Sequence, residues 1–193
     1  MGTTKTKDIL VDAARKLFAT QGVENTTMND IALASHKGRR TLYTYFKNKD
    51  EIFFSVIETE LDLVANRLSE IAQSQESPEK KLINYIYTRM EAIKEVVIRN
   101  GNLNADFFLD IRMVARVRRK LDKKERIILT SIFQNGMDKG IFNVKDAAYS
   151  AKMFHLALCG YEVAFIQSNS FKDLLIEKRR EVINFIFNGL IQR

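Results

Sequence analysis

Residues that interrupt helices or cross-link chains are scarce in this sequence. One proline and eight glycines in 193 residues leave few breaks, and there is no tryptophan. Strand-like alternation is nearly absent while apolar residues recur at spacings of three and four, so an all-α fold is expected. The single cysteine, Cys159, precludes an internal disulfide framework and suits a reducing compartment; in its apolar stretch it reads as a small buried hydrophobe. The only histidines, His36 and His155, stand far apart, and no ligand set at metal spacing is read around them, so neither a metal nor another cofactor is expected. A glycine-rich phosphate loop, a nucleophile elbow and a Ser/His/Asp set are all missing, which argues against an enzyme. No apolar run approaches the roughly 18 to 20 residues of a membrane span. The opening MGTTKTKDILVDAARKLF reads as an amphipathic helix rather than a signal peptide, so a cytoplasmic protein with no membrane partner is expected.

What is abundant is positive charge. The net charge is +7, and residues 1–50 hold nine Lys/Arg against five acids, so more than half of the excess lies in the first quarter. A polyanionic partner is favoured.

Within that quarter the stretch Thr26 to Phe54, TTMNDIALASHKGRRTLYTYFKNKDEIFF, reads as two short helices joined by a tight turn, then the start of a longer one. Thr27 with Asp30 forms a capping box for the first short helix. A turn over Ser35 to Gly38 follows, in which His36 can take a left-handed backbone. Leu42 and Phe46, four apart, put an apolar ridge on the second short helix, whose first turn carries Arg39 and Arg40. Two cations at a helix start oppose the helix dipole by roughly 0.3 to 1 kcal/mol each. Folding alone would not choose them, whereas a recognition helix that offers its first turn to guanine edges and phosphates would. A merely solvated basic face is the plainer reading of the charges, and the two-helix frame around them shifts the balance to DNA.

The run TTMNDIA, a turn, then TLYTYFKNKDEIF resembles the DNA-binding region of TetR-family transcriptional regulators. The resemblance implies phosphate contacts from Thr27, Tyr43, Tyr45 and Lys49, with Arg39, Arg40 and Thr41 at or near base edges and Lys37 adding a donor beside them. The sequence departs from the family pattern at His36, Lys37, Gly38 and Arg40, which touches the details of base contact rather than the motif.

Upstream, Ile9, Leu10, Ala13, Ala14, Leu17 and Phe18 mark a helix that stops at Gly22 and should complete a three-helix head. Downstream, Asn48 and Glu51 cap a helix running to about Gln73, roughly 36 Å at 1.5 Å per residue, long enough to couple the head rigidly to the remainder of the chain. Pro78 opens the next helix after Ser77. A sixth helix is expected around Phe107 to Ala115 with a basic far end, a seventh opened by Asp122 and Glu125 and closed at Gly140 by a Schellman cap, and two more opened by Asn143 with Asp146 and by Ser170 with Asp173. About nine helices result, with 1–47 as the helix-turn-helix domain and 48–193 as a larger helical domain for effector binding and dimerisation.

The last two helices are apolar on more than one face, which suggests a twofold four-helix interface between subunits; the resemblance implies the same arrangement. Phe154, Leu158, Glu162, Phe165, Val182, Ile183, Ile186, Phe187 and Leu190 are the candidate interface residues. The resemblance also implies a small, mostly apolar effector between helices, for which Tyr87, Met90, Phe107, Phe108, Met113, Phe133, Met137 and His155 are the candidate lining. The expected function is a homodimeric repressor that covers a pseudo-palindromic operator in double-stranded DNA and leaves it when an effector binds. The alternative is a small-molecule carrier whose basic head is vestigial.

Overall fold

The computed structural model describes residues 2–99 and 111–167, with side chains described for 5–96 and 118–160. The elements are α1 (Gly2–Gln21), α2 (Met28–Ala34), α3 (Arg39–Tyr45), α4 (Lys49–Gln73), α5 (Pro78–Arg99), α6 (Ile111–Asp138) and α7 (Ala147–Gln167). The fold is all-α, as expected. The described residues divide between two compact units, Met1–Leu63 with Glu95–Val117 and Val64–Lys94 with Arg118–Arg193.

In the first unit α1 buries Leu10, Ala14 and Phe18, spaced four apart along one helical face. Phe18 meets Phe53 of α4 edge-on, with ring centroids 5.8 Å apart. α1 ends where Gly22 turns to φ +84° while its N–H still reaches the Phe18 carbonyl, a backbone that a side chain would resist. At the start of α4 the Glu51 N–H donates to Asn48 Oδ1 (2.9 Å), and the Glu51 carboxylate accepts from the Lys47 N–H (2.7 Å). The expected cap is therefore present, its returning arm reaching one residue further back than in a capping box.

In the second unit Lys81 extends its ammonium to the Ala72 carbonyl in the last turn of α4 (2.8 Å), satisfying an acceptor that the helix leaves open. The sequence expectation fails at Asp122 and Glu125. Instead of opening a new helix they lie inside α6, which runs unbroken from Ile111 to Asp138. The segment RRKLDKKER around them contains neither glycine nor proline and is rich in helix formers. Both acids are taken by tertiary partners, Asp122 by His155 and Glu125 by Arg89, and neither is spent on a cap. Seven helices are thus present among the described residues. Phe107, Phe108 and the helix expected from Ser170 lie outside them.

α6 closes as its sequence suggests. Gly140 takes φ +65°, its N–H reaches the Met137 carbonyl, and the Ile141 N–H reaches the Gly136 carbonyl, which together make the Schellman pattern. α7 opens three residues later than Asn143, at Asp146, whose carboxylate accepts from the Tyr149 N–H (2.9 Å). The chain returning from the Schellman turn lays Phe142 against α6, between Gly136 and Phe133.

A Cβ at Gly136 would fall 2.1 Å from the Phe142 ring. Alanine for glycine inside a helix ordinarily stabilises by about 0.5 to 1 kcal/mol. Here Gly136→Ala should instead destabilise by about 1 to 3 kcal/mol through overpacking, read as a lower urea midpoint. A midpoint that rises would show that Phe142 can swing aside.

Candidate nucleic-acid interface

The three-helix head is held together by few contacts, each legible at the residue level. Thr27 caps α2: its hydroxyl accepts from the Asp30 N–H (3.2 Å) and donates to the Asp30 carboxylate (2.7 Å), which also takes the Thr27 N–H (2.8 Å). Those bonds hold the Asp30 carboxyl below its usual range. α2 ends at Ser35, and His36 follows at φ +53°, the left-handed turn position expected of it. Gly38 then enters α3 in extended conformation and offers no side-chain cap. Leu42 and Phe46 are buried, and Lys7 of α1 lies over the Phe46 ring at 5.8 Å.

With those two side chains turned inward, the rest of α3 faces outward. Arg39 and Arg40 are exposed in a first turn that contains no carboxylate, and Tyr43 is exposed beside them. Lys37, Thr41 and Tyr45 are half-buried around the same helix. Thr27 and Lys49 have intramolecular duties besides. The Thr27 hydroxyl proton is already given to Asp30. Lys49 donates to the Val23 carbonyl (2.6 Å) and the Glu24 carbonyl (3.2 Å), tying the α1–α2 loop to the start of α4 and leaving one of its three N–H donors over.

Residues 10–56 match the amino-terminal model of bacterial regulatory proteins of the tetR family. Those residues form a TetR-type amino-terminal region. A relative in sequence, the uncharacterised HTH-type transcriptional regulator YfiR of Bacillus subtilis, is 28% identical over 149 residues, 75% of this chain and 72% of its own. The HTH-type transcriptional repressor KstR2 of Mycolicibacterium smegmatis is 29% identical over 140 residues, 70% of this chain and 67% of its own. A transcriptional regulator from Cytophaga hutchinsonii has the same fold, with a TM-score of 0.80 at 23% identity over 96% of this chain and 98% of that one. These likenesses support a DNA-binding transcriptional regulator of the helix-turn-helix type.

The second unit holds a buried polar cluster. Arg89 of α5 donates through Nε to Glu125 of α6 at 2.6 Å, both side chains fully buried, and the Tyr85 hydroxyl donates to the same carboxylate at 3.2 Å. Burial and the Glu125 charge push the Tyr85 phenol far above its ordinary value, so it stays neutral. His155 of α7 lies between two acids, Nδ1 3.3 Å from Glu125 and Nε2 3.4 Å from Asp122, with the Cys159 thiol 3.6 Å from Nε2. Burial pulls the imidazole down, but its hydrogen bonds to Asp122 and Cys159 and the nearby negative charge outweigh that and hold it at about 9. Burial would raise Asp122, and the bond and charge of His155 together with the charges of Arg118 and Arg89 outweigh it and lower it. The donor atoms of Asp122, His155 and Cys159 all lie within 4.8 Å of one another. The long interval between the two histidines hid this group in the sequence. The signal was Cys159 following His155 by four residues, one helical turn.

The remaining expected residues are scattered. Met90, Phe133 and His155 are buried, Tyr87 and Met137 are half-buried, and the side chains of Phe107, Phe108 and Met113 lie outside the described residues. Phe133 sits in an aromatic row with Phe142 (5.6 Å) and Phe154 (5.7 Å). Of the candidate interface residues, Leu158 is buried within its own chain and Phe154 half-buried; the side chains of Glu162, Phe165, Val182, Ile183, Ile186, Phe187 and Leu190 lie outside the described residues. Among the described side chains of α7 the large apolar ones that are exposed are Tyr149, Met153 and Leu156, at 63, 48 and 53%.

The His155 environment sets a pH dependence. Its folded value of about 9 lies above the unfolded value near 6.5, so its contribution to stability is complete below about pH 6.5 and is lost as pH rises through 9. Urea midpoints measured with a chelator present should fall over that window, and His155→Gln should flatten the fall. An unchanged slope in the variant would assign the dependence to another group.

Proposed function

We propose that the chain is a homodimeric repressor whose α3 enters the major groove of a pseudo-palindromic operator, and that a small effector releases it. The observation that carries the DNA half is the first turn of α3: two exposed arginines, no carboxylate and an N-cap glycine without a side-chain cap. Such a turn is electrostatically unfavourable until a polyanion stands in front of it. Arg39 and Arg40 read base edges, Thr41 lies beside them, and Lys37, Tyr43 and Tyr45 hold the phosphates. Lys49 acts twice, steadying the α1–α2 loop and offering its remaining donor, and Thr27 contributes by fixing the start of α2. The KstR2 likeness supports repression over activation.

The dimer half is supported by α7. Tyr149, Met153 and Leu156 fall at intervals of four and three on one exposed apolar stripe, while Ala147, Ala151, His155 and Leu158 face the chain's own interior. A second copy of that stripe is the covering that a twofold regulator requires. Residues 48–193 carry the effector and dimer functions in this reading, and residues 1–47 the DNA contact. An effector shifts the operator equilibrium only by its different affinity for the two states, by roughly 1 to 3 kcal/mol in ordinary cases.

Fluorescence anisotropy with an operator selected from genomic DNA separates these roles. Arg39→Ala or Arg40→Ala should lose roughly 1 to 3 kcal/mol on operator and far less on random DNA. Equal losses on both would reduce the arginines to phosphate contacts. Leu156→Glu should yield a monomer by sedimentation, with operator affinity falling in step; a variant that remains dimeric would place the interface elsewhere.

A further inference from the structure

We propose that Asp122 of α6 together with His155 and Cys159 of α7 form a binding site for one divalent transition-metal ion of the zinc class. The donor set is the first reason: a carboxylate oxygen, an imidazole nitrogen and a thiol sulfur are the three ligand types that zinc takes, and three protein ligands leave a fourth position for water or another molecule. Geometry is the second. Ligand bonds of about 2.0 to 2.1 Å to nitrogen or oxygen and about 2.3 Å to sulfur, opened to a tetrahedral angle, separate nitrogen from oxygen by about 3.4 Å and nitrogen from sulfur by about 3.6 Å. His155 Nε2 lies 3.4 Å from Asp122 Oδ1 and 3.6 Å from Cys159 Sγ. The helical interval of four places the histidine and the cysteine on one face of α7, and the Asp122 carboxylate of α6 stands within 4.8 Å of both.

A single proton on Nε2 cannot serve both neighbours at once. One Nε2–H can point at Asp122 or at Cys159 but not at both, and the 3.4 Å to Asp122 exceeds the 2.7 to 2.9 Å typical of a charge-assisted N–H···O bond to carboxylate. An ion at that point meets both partners together with the nitrogen.

The surroundings fit as well. Metal-bound histidines commonly donate their other ring N–H to a carboxylate, which fixes the tautomer and aims the lone pair. Glu125 Oε2 stands 3.3 Å from His155 Nδ1, which has no hydrogen bond of its own, and Arg89 and Tyr85 hold Glu125 in turn. The histidine side chain is 5% exposed, so its orientation is set by these neighbours and not by solvent. Arg89 Nη2 also donates to Cys159 Sγ at 3.8 Å, which helps to orient the sulfur. Once a bound metal has displaced the protons of His155 and Cys159, Asp122, Glu125 and the thiolate are three anions facing the buried Arg89, with Arg118 acting on Asp122 from a partly exposed position. A divalent cation offsets the excess negative charge. The expectation of no metal site, drawn from the distance between the two histidines, is replaced by this one.

The test uses the full chain, reduced and free of DNA, so that it stands apart from the operator reading. Titration with cobalt(II) should give one equivalent per chain, with the ligand-field bands of a tetrahedral ion and a near-ultraviolet thiolate-to-cobalt charge-transfer band, all displaced by zinc(II). Cys159→Ser should abolish the charge-transfer band. Asp122→Asn and His155→Gln should weaken binding at least tenfold, and Glu125→Gln should weaken it while keeping the band. Because changes in a buried cluster can unfold the chain, a second measurement uses the unaltered protein: zinc(II) should slow alkylation of Cys159, and a chelator should restore the rate. A folded, reduced protein that shows no charge-transfer band, a band that persists in Cys159→Ser, or alkylation indifferent to zinc would overturn the site.

Discussion

The head of this regulator depends on two side chains, Leu42 and Phe46. α3 is seven residues long, well under the length at which a helix persists by itself in water, so it exists because tertiary contacts hold it. Its leucine and its terminal phenylalanine are buried, with Lys7 of α1 over the phenylalanine ring. Once they are anchored, the rotation of the helix is set, and Arg39, Arg40 and Tyr43 have only the outside to occupy. The left-handed turn at His36 and the extended backbone at Gly38 bring the chain to that anchor at the right angle. Packing and display are one event: the same burial that makes the helix stable presents its basic turn.

The second unit carries a different kind of constraint. A buried ion pair such as Arg89–Glu125 is a weak source of stability, because the desolvation of two charges offsets most of their attraction. What the pair supplies is orientation. Glu125, held by a guanidinium on one side and a phenol on the other, is a fixed acceptor facing His155, and His155 is in turn directed at Asp122 and Cys159. Replacing the cluster by hydrocarbon would fill the space without keeping that direction. Polar order in a core argues for a role in recognition or in switching between states.

Several local features were legible from short-range chemistry. The Thr27–Asp30 box, the left-handed His36, the stop at Gly22 and the Schellman turn at Gly140 each rest on residues within a few positions of one another, so spacing alone identifies them. The same habit misled at Asp122 and Glu125. An acid pair three apart looks like a helix start, yet both side chains answer to partners over thirty residues away, and the helix continues beneath them. Lys49 shows a milder case, since a cation beside a recognition helix also turns out to clamp a loop more than twenty residues upstream.

The sequence by itself determined the helical class, the helix-turn-helix frame with its basic first turn, and most helix ends, because caps, apolar spacing and backbone permissiveness are properties of neighbouring residues. Only the tertiary structure decided which side of α7 is inward, that α6 is one helix, and that Asp122, His155 and Cys159 converge. Convergence depends on how α6 and α7 pack, and packing is settled by the whole buried surface at once; no window of residues contains that information.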